Sequence, residues 1–282
     1  MLSFLTGAGI IGLFALRPFV YKPASRTLSP KAASYFTAFW CLALVLPTLP
    51  FCWEYLFLDG KFILFTPYVL FPLSKGIPLY FFIRYWQSLN KDSTTAASFY
   101  GVIALGAAAI ITALLFAAPI TFKQLFIVSL IGALGVIFFL IGEGNKLSLA
   151  NKKSFVLICI FAILNLICDT LSIRYTNWYC LFVFSFTGMM LCALVFSRKE
   201  LKIKQFFSSW TTAGAGIIFA LGEVLMTFSM QYFFSVVGAV LLIRVGQSLD
   251  IILAHHINKE GSLSLQYFLA IATVTLSYFF FY

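Results

Sequence analysis

Three ionisable residues, Glu223, Arg244 and Asp250, lie inside apolar sequence towards the carboxyl end of the chain. An ionisable side chain at the middle of a bilayer costs roughly 3 kcal/mol or more, so such residues usually face a protein interior or a watery cavity. There they mark a transport path or a counter-ion pair. We therefore expect these three side chains to line a polar cavity inside a membrane-spanning chain.

Arg244 begins a polar helix face. Successive helical residues are rotated by about 100°, so Ser248 lies on the same face as Arg244. Gln247 then lies about 60° away and Asp250 about 120° away. The pattern indicates a guanidinium held in a cavity, where it would bind a substrate carboxylate or phosphate through paired hydrogen bonds. The alternative is a structural pair with Glu223 or Asp250 that fixes helix register, and both roles can coexist.

Glu223 lies near the middle of its apolar segment, with Gly216, Ala220 and Thr227 on the same face. Small neighbours let another helix approach closely. An isolated buried carboxylate could bind and release a coupling proton, whereas a carboxylate paired with Arg244 would stay ionised. Glu223 is therefore a candidate for substrate binding and for coupling.

A second polar stripe contains Asn165, Asp169 and Ser172 at positions i, i+4 and i+7 of one apolar segment. A lipid-facing helix would not keep such a stripe. Asn165, about halfway along, is a candidate substrate contact. Asp169 lies nearer the end and is expected to pair with Arg174 or to meet water. Asp169 and Asp250 are the further coupling candidates.

Lys75 lies between Pro72 and Pro78, with Gly76 beside it. This composition predicts an interrupted helix, whose freed carbonyl groups must be met by water, side chains or a ligand. Broken helices near the midplane commonly form carrier sites, so Lys75 is a candidate substrate-binding residue. The alternative is a kinked helix whose lysine reaches out to the membrane surface.

Aromatic residues near the same face could complete a pocket. These are Tyr68, Phe71, Phe82 and Trp86, of which Tyr68 and Trp86 are the two assigned to substrate binding. Aromatic residues make up 18% of the chain. Most of the others are expected to pack inside the protein or to form the aromatic belt at the membrane interface.

Composition places the chain in the membrane. Of its 282 residues 62% are hydrophobic and only 10% are charged, and the mean hydropathy is +1.00. An ordinary soluble domain is about 45–50% apolar. A spanning helix needs roughly 20 apolar residues, so the length predicts about ten helices and no fused soluble enzyme. The first apolar run has no cleavage signature and is expected to be retained.

The remaining polar composition argues against several other classes of site. The net charge of +10 comes mostly from residues between apolar runs, which does not favour nucleic-acid binding. The six cysteines form no CxxC pair and are expected to be apolar packing residues. His255 and His256 lack a third ligand at metal spacing. We expect no metal, no cofactor and no catalytic residue.

Ten apolar segments predict an all-α integral membrane fold with ten transmembrane helices. They cover residues 2–20, 32–53, 62–85, 94–117, 122–141, 154–173, 177–196, 210–232, 235–256 and 264–282.

With Lys75 and Arg244 inside spans, 17 of the 19 basic residues remain to be divided between the two sides of the membrane. Three of them, Lys61, Lys123 and Arg174, lie on the side of the amino terminus, and the other 14 lie on the opposite side. The 14 include Arg17 and Lys22.

This charge asymmetry orients the protein. Short cytoplasmic loops carry the excess of Lys and Arg. Both termini are therefore expected outside the cytoplasm of what we take to be a bacterial inner membrane.

The two halves of the chain resemble each other. Placing Gln124 over Gln266 also places Phe126 over Phe268, and the same offset of 142 residues lays the fourth and fifth segments on the ninth and tenth. We expect repeats at residues 1–145 and 146–282 that together form one transmembrane domain. Because each has five helices, the second enters from the opposite face, which gives an inverted repeat with a substrate site near the midplane.

A family resemblance comes from residues 80–140. A helix is followed by a tight joint at residues 90–93, a small-residue helix, Pro119, Gln124 and the sequence Gly132-Ala133-Leu134-Gly135. This arrangement resembles the EamA-type carriers of the drug/metabolite transporter superfamily, and the length and five-plus-five layout are also similar over the whole chain. The resemblance implies a ten-helix secondary carrier.

The leading hypothesis is a secondary carrier, not an enzyme, that moves a small polar organic metabolite by alternating access. Its cavity would be lined by the third, sixth, eighth and ninth spans and closed by the first and fourth. Lys75 and Arg244 against Glu223 favour an anionic or zwitterionic solute, such as an amino acid or a nucleotide-like metabolite.

Other hypotheses remain open at this stage. They are proton-coupled efflux of amphipathic compounds, an integral-membrane enzyme that modifies a lipid head group, and a non-transporting scaffold or sensor. The expected partners of the chain are the substrate, the lipid bilayer and a coupling proton or counter-substrate, with the protein a monomer or homodimer.

Overall fold

The computed structural model of the chain describes residues 1–116, 120–144, 146–198, 210–260 and 263–281. Several features of the sequence prediction lie outside those residues. They are Pro119, the predicted repeat boundary at Asn145, and Lys199, Lys202 and Lys204 of the charge count.

Ten α-helices make up most of the part that is described. They are α1 (Leu2–Thr27), α2 (Pro30–Val45), α3 (Leu70–Asp92), α4 (Thr94–Phe116), α5 (Phe122–Phe139), α6 (Leu149–Tyr175), α7 (Trp178–Ser197), α8 (Trp210–Tyr232), α9 (Val236–Asn258) and α10 (Leu263–Phe281). Between α2 and α3 lie 3-10 turns at Leu46–Thr48, Trp53–Leu56, Ile63–Phe65 and Pro67–Val69, and a π turn at Leu140–Gly144 follows α5.

Side-chain caps explain where several helices begin. Ser29 accepts a hydrogen bond from the Ala32 amide, with Pro30 as the first helical residue of α2. Thr121 and Gln124 form a reciprocal capping box at the start of α5. Ser235 caps α9 in the same way by accepting from the Gly238 amide.

Among the described residues, eight helices are long and apolar enough to cross a membrane, namely all of the ten except α2 and α3. α2 has 16 residues, about 24 Å at 1.5 Å per residue. α3 has 23 residues but includes Lys75, Arg84, Lys91 and Asp92. The composition-based prediction of an all-α, multi-pass membrane protein is therefore confirmed.

The predicted segments differ most from the structure before α3. The third segment was expected to begin at residue 62, but the helix begins at Leu70. A two-stranded antiparallel hairpin instead pairs Phe57–Leu58 with Lys61–Phe62. Its turn has φ of 49° at Asp59 and 75° at Gly60. Two consecutive positive φ angles are characteristic of a type I′ hairpin turn, for which Asp-Gly is a preferred sequence.

α1 is longer than predicted. It continues through Pro18 and Pro23 to Thr27, instead of ending near residue 20. Arg17 and Lys22, which the charge count placed in a joint between helices, are therefore buried residues of α1. Their side chains lie inside the protein and not on a loop at the membrane surface.

α3 is continuous, so the prediction of an interrupted third helix is wrong. Pro72 lies in its first turn, where a missing amide hydrogen costs no hydrogen bond, and only Pro78 lies inside the helix. A Cβ atom added at Gly76 would overlap the backbone of Gly188 on α7. Gly76 and Gly188 therefore let α3 and α7 cross at close range, as small residues do in membrane helix pairs.

Helix neighbours recur between the two halves of the chain. α3 packs against α6 and α7, and α8 packs against α1 and α2. α4 packs against α5 and α6, and α9 packs against α10 and α1. Three further contacts join α2 to α7, α4 to α9 and α5 to α10.

Candidate substrate cavity

A cavity of about 60 Å³ lies among six helices, α1, α3, α4, α6, α8 and α9. Pockets that hold whole small molecules are about 300–1,000 Å³. The cavity therefore has to widen before it can admit a metabolite.

A buried ionic cluster forms one part of the cavity wall. Lys75 Nζ of α3 lies 2.7 Å from Asp169 Oδ1 of α6 and 2.8 Å from Glu223 Oε2 of α8. Lys75 is 1% exposed. One ammonium group thus faces two carboxylates, and we call Lys75, Asp169 and Glu223 the acidic triad because its net charge is negative.

The triad corrects two sequence-based expectations. Glu223 was expected to stand alone or to pair with Arg244, and Asp169 was expected to pair with Arg174 or to meet water. Both carboxylates instead share Lys75, and Asp169 is buried. The alternative of a lysine reaching the membrane surface is also wrong, because Lys75 points between three helices.

A second polar cluster links α1, α4 and α9. Arg17 Nη2 donates to Tyr100 Oη at 3.0 Å, and Gln247 Nε2 donates to the same oxygen at 2.7 Å. Arg244 Nη1 donates to Gln247 Oε1, and its guanidinium carbon lies 5.5 Å from the Tyr100 ring centroid. We call Arg17, Tyr100, Arg244 and Gln247 the arginine cluster. Arg17, Tyr100 and Arg244 line the cavity directly.

The arginine cluster contains no carboxylate. Within the described ranges, neither Arg17 nor Arg244 has an acidic group within 4.0 Å, and Arg244 Nε is buried without a hydrogen-bond partner. The expected pairing of Arg244 with Glu223 or Asp250 is therefore wrong. Two buried cations are held by hydroxyl, amide and aromatic groups, which leaves this part of the wall positive.

Arg17 rests on aromatic rings. Its guanidinium carbon lies 4.9 Å from the centroids of both Phe14 and Trp86. Trp86 does not line the cavity; its Nε1 donates to the Ala97 carbonyl at 3.0 Å. The expected direct substrate contact by Trp86 is thus replaced by support of Arg17, since a cation over an aromatic face is stabilised.

The other predicted site residues divide into those at the cavity and those away from it. Asn165 lines the cavity, and its buried Oδ1 has no hydrogen-bond partner in the part of the chain that is described. Tyr68 is 41% exposed and stacks on Tyr175 at 5.8 Å, outside the cavity. Ser248 donates to the Val245 carbonyl of its own helix and is also not in the wall.

Asp250 is buried behind the wall. Both of its oxygens lack a hydrogen bond of normal geometry among the described residues. Its neighbouring polar groups are the Ser98 hydroxyl and the Arg17 guanidinium. Asp250 therefore lies near Arg17 but does not line the cavity.

Sequence reasoning missed Arg17 and Tyr100. Arg17 was counted among the basic residues on one side of the membrane, although Phe14, Arg17 and Tyr21 lie three or four residues apart on one helix face. Tyr100 was one of 13 tyrosines. Its own segment carries no other signal of a polar site, and only its neighbours across the helix crossing identify it.

A third polar group lies at one end of α1. Lys22 Nζ forms an ion pair with Glu260 Oε1 and donates to Thr94 Oγ1 at 2.9 Å. Glu260 Oε2 accepts from the Thr95 amide at 3.1 Å, at the start of α4. We call these residues the end cluster. It ties α1, α4 and the segment after α9 together, about five residues beyond Arg17 along α1.

The opposite end of the helices is covered by the segment between α2 and α3. Thr48 Oγ1 and Tyr179 Oη lie 2.9 Å apart, and Asn177 Nδ2 donates to the Tyr55 carbonyl at 2.7 Å. Polar contacts thus join the helices at one end, and this segment lies over them at the other.

Cysteines and histidines are not part of the cavity wall. All six cysteines are free. His255 Nδ1 lies 3.3 Å from the Glu260 carbonyl oxygen, and His256 Nε2 lies 3.2 Å from Tyr267 Oη. Within the described ranges no three His, Cys, Asp or Glu residues are grouped so that they could hold a metal ion.

Comparison with known proteins gives a fold and no activity. No family model matches the chain, and no curated protein matches its sequence. One solved structure, described only as "Crystal structure of protein", is similar with a TM-score of 0.68 at 11% sequence identity. The similarity covers 98% of this chain and 95% of that chain. At such low identity it shows a shared fold over nearly the full length.

Proposed function

We propose that the chain is a secondary carrier that moves a small anionic or zwitterionic organic metabolite across a membrane by alternating access. The observation that carries the proposal is a cavity shared by six helices, with an acidic triad and an arginine cluster in its wall. Ionisable groups inside a membrane usually belong to a substrate or ion pathway. All ten helices, including α2 and α3, would cross the bilayer.

The helix neighbours support an inverted five-plus-five repeat with halves at residues 1–145 and 146–282. Moving five helices along the chain turns each observed contact into another observed one: α3 with α6 becomes α8 with α1, and α4 with α5 becomes α9 with α10. Gln124 and Gln266, the aligned pair, both bond near the starts of the corresponding helices α5 and α10.

The cavity wall follows the same relation. It is built from α1, α3 and α4 of the first half and from α6, α8 and α9 of the second. These are the three corresponding pairs of a five-helix repeat. A site shared by equivalent helices near the middle of the membrane is the arrangement that lets two inverted halves rock around one substrate.

The charges in the wall favour a solute with an anionic group. The arginine cluster offers two guanidinium groups without carboxylate partners, and guanidinium groups bind carboxylate or phosphate through paired hydrogen bonds. The acidic triad has one negative charge more than positive, which suits an ammonium group or a coupling proton. An anionic or zwitterionic solute would therefore complement the cavity.

The positive-inside argument still favours both termini outside the cytoplasm of a bacterial inner membrane. Removing the buried Arg17 and Lys22 from the count lowers the basic residues on the opposite side but leaves them well ahead of Lys61, Lys123 and Arg174. In this orientation the end cluster lies on the cytoplasmic side.

Reconstitution tests the carrier proposal. Purified full-length protein in liposomes loaded with a metabolite should exchange it for the same external metabolite in a saturable way, and internal solute should accelerate uptake. Chemical conversion of the solute without transfer would contradict the proposal and favour the membrane enzyme. Saturable extrusion of amphipathic cations alone would favour efflux instead.

Gly101→Ala is expected to weaken binding of an anionic solute about tenfold, which corresponds to about 1.4 kcal/mol. A Cβ atom at Gly101 would overlap Gln247 Oε1 and lie 2.6 Å from Arg244 Nη1. The ends of these two flexible side chains can move aside, so the melting temperature should change little. Half-saturation concentrations for transport and melting temperatures of the purified variants measure both effects.

Gly142→Ala is the matched control for this variant, because nothing lies within 4 Å of its added Cβ. Unchanged half-saturation in Gly101→Ala would show that the arginine cluster does not contact the solute.

Lys22→Met is expected to favour the state that is open at the end cluster. Without the ammonium group, Glu260 loses its ion pair, and α1 loses its bond to Thr94. A cysteine introduced at the cavity wall should then react severalfold faster with a membrane-impermeant maleimide from that side. Glu260→Gln should act in the same direction.

The double variant Lys22→Met/Glu260→Gln should exceed either single variant only slightly, because both remove the same interaction. Fully additive effects would contradict a shared gate contact.

A further inference from the structure

The arginine cluster has far more hydrogen-bond donors than acceptors. A guanidinium carries about five N–H donors and no acceptor. Arg17 uses one donor on Tyr100 Oη and Arg244 uses one on Gln247 Oε1, and no other acceptor is seen for either in the described part of the chain. Buried donors normally have partners. Arg244 Nε is buried without a partner in the described part of the chain, and both arginines line the cavity, so the site favours a ligand that is rich in acceptor oxygens.

Charge balance narrows the chemical class of that ligand. Both guanidinium groups are buried, and neither has an acidic group within 4.0 Å in the part that is described. Asp250 also has no Lys, Arg or His nitrogen within 4.0 Å among the described residues. A single carboxylate would neutralise one guanidinium and leave the other. A group of charge about −1.5 to −2, such as a phosphate monoester at neutral pH, would balance both.

The hydrogen-bonded link through Tyr100 and Gln247 adds a geometric reason to expect a phosphate group. Arg17 and Arg244 come from α1 and α9 but are joined by one bonded chain over a single phenol ring. Arg17 and Arg244 are therefore two separate forks of donors, one from each helix. One fork fills both oxygens of a carboxylate, whereas a tetrahedral phosphate with three free oxygens can accept from two forks together.

We infer that Arg17 and Arg244 form a binding site for the phosphate group of a phosphate monoester, so that the carried metabolite is an organic phosphate. This inference rests on the proposed carrier function and names its substrate class. Tyr100 and Gln247 hold the two guanidinium groups in place. The rest of the solute would extend towards Asn165 and the acidic triad, where hydroxyl or amine groups would find carboxylate and amide acceptors.

Thermal stability of the purified, detergent-solubilised protein tests the site, because a ligand that binds only the folded state raises the melting temperature. The probes are inorganic phosphate, glycerol 3-phosphate, short-chain phosphatidic acid, acetate and alanine, at matched ionic strength. We expect saturable stabilisation by inorganic phosphate and stronger stabilisation by glycerol 3-phosphate. Phosphatidic acid binding more tightly than glycerol 3-phosphate would identify a lipid head group as the source of the phosphate.

Arg17→Lys and Arg244→Lys separate fork geometry from charge. Both keep a cation in the cavity but lose the paired donors, so each should weaken glycerol 3-phosphate binding at least tenfold. Arg84→Lys is the matched control, since Arg84 lies outside the cavity wall. Its binding should equal that of the wild type. If a lysine variant melts too low for this assay, Gly101→Ala tests the cluster in another way, because its Cβ would crowd Gln247 and Arg244 without removing a charge and should also weaken glycerol 3-phosphate binding.

Two outcomes would overturn the inference. One is stabilisation by acetate or alanine equal to that by glycerol 3-phosphate, and the other is undiminished phosphate binding in both lysine variants. Its failure is distinguishable from failure of the carrier. Saturable exchange of an amino acid without phosphate binding would support the carrier proposal and contradict the organic phosphate as its substrate. Phosphate binding without any solute exchange would support the phosphate site and contradict the carrier proposal.

Discussion

Lys75→Met is expected to abolish transport and to destabilise the protein by roughly 3–5 kcal/mol, the range for breaking a buried ion pair by removing one partner. Methionine has a similar length and no charge, so the variant leaves Asp169 and Glu223 facing each other across the space that Lys75 Nζ occupied. The helices α3, α6 and α8 lose their shared contact together. The melting temperature and the exchange rate in liposomes measure the two effects.

A triple variant separates the structural role from the functional one. Lys75→Met combined with Asp169→Asn and Glu223→Gln has no buried charge in the triad, and neutral replacement of a buried ionic group is often tolerated. We expect most of the thermal stability to return while transport stays lost. A single Lys75→Met variant with normal stability and exchange would show that the triad serves neither the fold nor the carrier.

Gly76→Ala and Gly188→Ala are expected to have the largest effect on folding outside the cavity. A Cβ atom at Gly76 would overlap the backbone of Gly188 and Met189, and one at Gly188 would overlap the Leu73 carbonyl. Backbone atoms cannot move aside without separating α3 from α7. Overpacking costs about 1–3 kcal/mol of stability and sometimes more. The cost of a clash with backbone atoms should lie at or above the upper end of that range.

Size-exclusion profiles and melting temperatures of the purified variants check this prediction. Gly12→Ala and Gly142→Ala are the controls, because an added Cβ meets nothing within 4 Å at either position. They should behave as wild type. Normal folding of Gly188→Ala would mean that the close crossing of α3 and α7 is not a feature of the native protein.

The sequence predicted the membrane class and most helix positions because these depend on local composition. Segment 94–117 corresponds to α4 (Thr94–Phe116), and segment 210–232 corresponds to α8. The six helices expected around the cavity are the six that line it. Polar side chains inside apolar segments carry this information, since lipid would exclude them.

Pairings between side chains were beyond the reach of the sequence. Glu223 has Lys75 as its partner, 148 residues away along the chain, and not Arg244. Nothing local distinguishes these two cations; the arrangement of α3, α6 and α8 around the cavity decides. The same holds for Tyr100, whose hydroxyl joins Arg17 to Gln247 across three helices.

Two errors in the helix assignments lie at prolines. α1 was expected to end near residue 20 but continues through Pro18 and Pro23, and Pro72 and Pro78 suggested a broken α3, which is continuous. In a membrane, neighbouring helices can satisfy the backbone groups that a proline frees. Arg17 was missed for this reason, because a helix that ended at residue 20 would have placed it near the surface.

Access to the cavity from both faces of the membrane is the most direct test of the carrier. Ala162 lines the cavity, and Ala162→Cys can be introduced into a variant whose six native cysteines are replaced. In oriented liposomes, a membrane-impermeant maleimide should label this cysteine from either face, and the transported solute should protect it. Labelling from one face alone, or from neither, would contradict alternating access through this cavity.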